Sequence, residues 1–189
     1  MTRFPQVTLI VSTLVTSWLG MQALHESGHV LGALVTGAEV KRVVLHPLTI
    51  SRTDLGKNPH PLAVVWAGPI IGVMIPLTFC GIVSWLQMPG AFVFRFVAGF
   101  CCVANGAYIA YGSMDGIGDC GEMLRNGSPM WHLWLFGVCT IPVGFMIWHG
   151  QGKYFGLGSA HGKVDNRATG GTLLAALLLL AFGLTVGSH

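Results

Sequence analysis

The chain has 189 residues, 52% hydrophobic and only 9% charged, with a mean hydropathy of +0.66 and a formal net charge of +3. A soluble domain carries roughly 25% charged residues, so this composition excludes one and defines an integral membrane protein. The small net charge and the lack of a basic stripe with interleaved aromatics give no support to a nucleic-acid partner, and the length leaves room for one membrane domain over residues 1–189.

The apolar run after Arg3 predicts a first transmembrane helix over about residues 6–35, longer than the roughly 20 residues a bilayer needs. Arg3 followed by such a run resembles a signal peptide, but the run ends in residues suited to an active site, so it is read as a retained span. Those residues are His25, Glu26 and His29, an H-E-x-x-H pattern. Positions four apart share a helix face, so the two imidazoles can hold one zinc ion, while Glu26 stands beside it, able to take a proton from a zinc-bound water. No charged residue occurs from Val7 to Leu24, and ionisable groups at the end of such a run are costly in lipid unless they have partners. Gly28 and Gly32 form a small-xxx-small pair that lets another helix approach. Val35 stands where a metzincin would carry its third histidine, so the third ligand lies elsewhere.

Thr36 to Pro61 is a polar connection in which β-branched and charged residues alternate from Val40 to His46, predicting a short strand or hairpin. His46 and His60 lie here and read as loop or interfacial histidines in preference to ligands. The second span is expected at 62–86, with Ala67-Gly68-Pro69 near its start; Pro69 removes a backbone donor, and an irregular backbone there would suit a cavity. The third span is expected at 91–112 and contains Asn105, either a helix–helix contact or a hydrogen-bond donor to a substrate backbone.

Residues 113–129 hold Asp115, Asp119 and Glu122, spaced so that a helix would put them on one face. A carboxylate from this segment would complete a His, His, carboxylate site; the alternative is a solvated acidic loop. A fourth span is expected at 130–148 and a last one at 172–186, separated by a glycine-rich loop that reads as flexible. Together these predict an all-α polytopic fold of about five transmembrane helices with a short β-hairpin between the first two. The cysteines, Cys80, Cys101, Cys102, Cys120 and Cys139, are odd in number and lack C-x-x-C spacing, so they read as small buried residues.

His25-Glu-Ser-Gly-His29 in a first span, Ala67-Gly-Pro69 opening a later one, and Asp115-Gly or Gly118-Asp119 after a third resemble the site-2 protease family of intramembrane zinc metalloproteases over about the first 125 residues. The resemblance implies that His25 and His29 bind zinc with a downstream Asp, that Glu26 is the general base, and that a transmembrane protein substrate is cut within or near the lipid bilayer. The proline that precedes Leu-Asp-Gly in the family is missing before Met114-Asp115-Gly116, whereas Gly118-Asp119 resembles the pattern of small bacterial members. Asp119 is therefore the favoured third ligand, Asp115 the alternative, and the bacterial cell membrane the implied location. The Asn that often follows Ala-Gly-Pro is replaced by Ile70-Ile71-Gly72, leaving Asn105 as a candidate for substrate or oxyanion contact. A non-proteolytic zinc-binding scaffold of the same fold is the alternative function. Lys and Arg divide equally between the two sides, so orientation is open, as are oligomeric state and substrate identity.

Overall fold

The computed structural model describes residues 3–186. Five helices are long and apolar enough to cross a membrane: α1 (Phe4–Thr36), α2 (Pro61–Trp85), α3 (Ala91–Asp115), α5 (Met130–Trp148) and α6 (Asn166–Val186). A short α4 (Gly118–Arg125) lies between α3 and α5, and strands β1 (Val40–Val44) and β2 (Arg52–Leu55) form an antiparallel hairpin between α1 and α2. The fold is thus all-α and polytopic with one small sheet. Many large apolar side chains on the helices stay exposed, Trp85, Val138 and Met146 among them, as expected of surfaces that face acyl chains.

Small residues set how closely the helices approach. A Cβ on Gly28 would collide with the Ala67 carbonyl oxygen, and one on Gly32 would lie 2.8 Å from the Ala67 Cβ, so the glycine pair of α1 is the surface on which α2 rides. Between α3 and α5 the same device recurs: Gly99 meets the Gly144 carbonyl, and Gly137 meets Ala110 and the Gly106 carbonyl. α2 continues as a regular helix through Pro69 and Pro76, so the irregular backbone expected there does not occur; buried Pro69 only deprives the Val65 carbonyl of its usual donor.

α3 ends at Asp115 because Gly116 takes the left-handed conformation (φ +61°). The chain then reverses, and α4 packs back into the bundle, burying Cys120 and Met123 against Val65, Ile109 and Leu133. Asp115 and Asp119 consequently lie on different helices and do not share a face.

Besides the end of α3, which runs three residues past 112, the start of α6 and the loop before it depart from expectation. α6 begins at Asn166, six residues before 172, because Asp165 Oδ1 accepts hydrogen bonds from the backbone of Arg167 (2.8 Å) and Ala168 (3.4 Å), and because Thr169 and Thr172 of its otherwise exposed first turns are buried, Thr172 pairing with Ser12 at 2.7 Å. The glycine-rich loop is ordered into two 3-10 turns, Gln151–Phe155 and Gly158–Ala160. Gln6 donates to the Phe155 carbonyl at 3.0 Å, and the Phe155 ring packs on Phe92 and Phe96.

Candidate metal centre

At 1.5 Å per helical residue, His25 and His29 lie roughly 10 to 16 Å below the C-terminal end of α1, inside the spanning segment. Both are buried, as is Glu26. Asp119, in the first turn of α4, reaches them across the bundle: its Oδ2 is 2.7 Å from His25 Nε2 and 3.2 Å from His29 Nε2. The ligand atoms of His25, His29 and Asp119 all lie within 4.8 Å of one another, and they are the group among the described residues that could hold a metal ion. Asp115 is exposed at the end of α3 and is not part of it, nor are His46, in the hairpin loop, and His60, at the start of α2.

The other nitrogen of each imidazole fixes its tautomer. His29 Nδ1 lies 3.0 Å from the Val64 carbonyl, which can only accept, so Nδ1 carries the proton. Asn105 Nδ2 donates to the Cys101 carbonyl at 2.9 Å, which orients the amide so that its Oδ1 faces His25 Nδ1 at 2.7 Å; that nitrogen too must donate. Both Nε2 atoms therefore turn lone pairs toward the Asp119 carboxylate. Acceptors aimed at one point require a cation between them, either a proton shared in turn or a metal ion that satisfies all three, and a N, N, O set with oriented imidazoles fits a divalent metal. Burial alone would raise the Asp119 carboxyl, but the hydrogen bond and charge of an imidazole that carries the shared proton outweigh it and hold the group well below the usual carboxylate range, as an anion.

Asn105, fully buried, thus makes a helix–helix contact through its Oδ1, gives one of its two Nδ2 hydrogens to the Cys101 carbonyl, and borders the cavity that Glu26 and Asp119 also line. Gly68 packs directly on His29: a Cβ there would overlap Cε1 and Nε2 of the ring, so the Ala67-Gly68 approach to α1 also seats the ligand ring. Cys120 is structural; burial pushes its thiol up to about 11, and its Sγ lies 3.4 Å from the Tyr108 carbonyl.

Glu26 stands outside the ligand group, and its Oε2 accepts a hydrogen bond from Thr53 Oγ1 of β2 at 2.7 Å. Two cavities border the site, the second of them lined by β2. One, of about 260 Å³, is bounded by His25, Glu26, Asp119 and Tyr108 together with apolar Trp18 and Met21. The other, of about 440 Å³, is bounded by His29 and Asp119 together with polar Arg52, Asp54, Asn58 and Glu122. Sequence reasoning missed Thr53 and Tyr108. Neither sits in a motif, and Tyr108 is marked only by position, three residues after Asn105 on the same helix.

Fold and site together define a multi-pass membrane protein with a buried His, His, Asp centre able to hold a metal ion. Compared with known protein families, curated proteins and solved structures, the chain matches none.

Proposed function

We propose that this protein is an intramembrane zinc metalloprotease. The observation that carries the reading is the convergence of His25, His29 and Asp119 within a membrane-spanning bundle, with Glu26 on the same helix and facing the same cavity. His25, His29 and Asp119 would hold the ion; bound there, zinc lowers the pKa of a water and polarises the scissile carbonyl. Glu26 takes a proton from the attacking water and delivers it to the leaving amine, while Asn105 and the Val64 carbonyl keep the imidazoles oriented.

The substrate is a transmembrane protein with an extended segment, since helical peptide bonds are shielded. The edge for backbone pairing falls to β2, because Thr53 of that strand touches Glu26 and its residues line the polar cavity. The likeness of the Gly118-Asp119 segment to small bacterial members makes the bacterial cell membrane the proposed location.

The test is cleavage of fluorescein-labelled casein by the detergent-purified chain with and without a zinc chelator, and by Glu26→Gln. Cleavage lost in both cases, with helix content retained, supports the reading. Cleavage retained by Glu26→Gln contradicts it, and a chain that binds zinc but never cleaves is a scaffold.

A further inference from the structure

The tetrahedral step of peptide hydrolysis places negative charge on the former carbonyl oxygen, and hydrogen-bond donors preorganised at that point lower the barrier. Asn105 commits its Oδ1 to His25 and one of its two Nδ2 hydrogens to Cys101. Tyr108 stands one helical turn further along α3, bounds the same cavity as Glu26 and Asp119, and sets its ring edge-on to His25 at a centroid distance of 5.9 Å. Its hydroxyl accepts a hydrogen bond from the Asp119 backbone N–H at 3.2 Å. That bond uses a lone pair and leaves the phenolic proton available, and among the described residues nothing accepts it. The position is built in: Gly118 adopts φ +59°, and a Cβ there would stand 2.5 Å from the Tyr108 hydroxyl oxygen. The turn that presents Asp119 to the histidines therefore also holds this hydroxyl beside them.

We propose that Tyr108 is a catalytic residue that donates a hydrogen bond to the oxyanion, an inference that rests on the peptidase reading. As water oxygen bonds to the carbonyl carbon, the C=O π pair moves to oxygen, and Tyr108 O–H donates to it without losing its proton. On collapse that pair re-forms C=O, the C–N bond breaks, and the amine receives the proton held by Glu26.

The test compares the unaltered full-length chain with Tyr108→Phe in detergent, measuring zinc content, casein kinetics and the affinity of a phosphinic pseudopeptide with leucine on both sides of the phosphinate. Removal of one such donor costs about 100-fold in kcat, and the same loss is expected in phosphinate affinity, with KM within twofold and zinc retained. Phosphinate affinity and kcat within twofold of the unaltered chain would overturn the proposal. So would loss of zinc, which would make the hydroxyl a support for Asp119 alone. Should Tyr108→Phe fail to fold, 3-fluorotyrosine at position 108 keeps the shape and strengthens the donor; tighter phosphinate binding supports the role and unchanged binding overturns it. An unaltered chain that holds zinc yet neither cleaves nor binds phosphinate brings down the peptidase reading itself, and this inference with it.

Discussion

The imidazole of His29 lies directly over Gly68, with its Nδ1 2.9 Å from where a Cβ would stand and its Cε1 and Nε2 closer still. The ring is thereby seated on one turn of α2 backbone, packed against Gly68 and giving its Nδ1 proton to the Val64 carbonyl. Gly68→Ala is predicted to push the ring off the ligand position. Because the neighbour on α2 is backbone, the helices would have to part before the ring could return. Zinc affinity, measured by competition with a chelator of known strength, should fall by about 100-fold or more.

The Asn105 amide holds the other imidazole through a two-bond relay from Cys101. Asn105→Leu keeps the volume but leaves His25 Nδ1 without an acceptor. Zinc affinity should drop about 10- to 100-fold, the usual cost of losing a partner that orients a metal-bound histidine, with thermal stability of the zinc-loaded protein falling in step.

Thr53 is the side chain through which the hairpin reaches Glu26. Thr53→Val is nearly isosteric and removes the donor. A hydrogen bond to a charged group contributes about 1.5–3 kcal/mol, so kcat on labelled casein should fall at least about tenfold, with zinc content and KM unchanged. Thr53→Ser should recover most of the loss; failure of serine to rescue would show that the methyl packing, not the hydroxyl, was what mattered.

How much of this was legible in the sequence depends on the distance over which each signal acts. The H-E-x-x-H pattern and the glycine pair of α1 are local, set by helix periodicity, and His25, His29, Gly28 and Gly32 take the placements that the periodicity requires. The hairpin also announced itself through its alternation. The choice between Asp119 and Asp115 was not local. It depends on Gly116 ending α3 and on the reversal that sends α4 back across the bundle, after which only Asp119 meets the histidines. The partnerships His25–Asn105 and Glu26–Thr53 join residues 80 and 27 positions apart and leave no trace in either neighbourhood. The start of α6 was missed because hydropathy is blind to a polar turn that is capped by Asp165 and tied to α1 through Thr172. The loop before it was read from its glycines as mobile, when Gln6 and a cluster of aromatic rings hold it in place.

The central claim is that His25, His29 and Asp119 bind zinc, and the most direct test is zinc per chain in detergent-purified protein, after zinc is added back and excess removed, for the unaltered chain, Asp119→Ala and Asp115→Ala. The geometry predicts close to one zinc per chain in the unaltered protein and in Asp115→Ala, and little or none in Asp119→Ala. A zinc-free unaltered chain, or an Asp119→Ala chain that keeps its zinc, would contradict it.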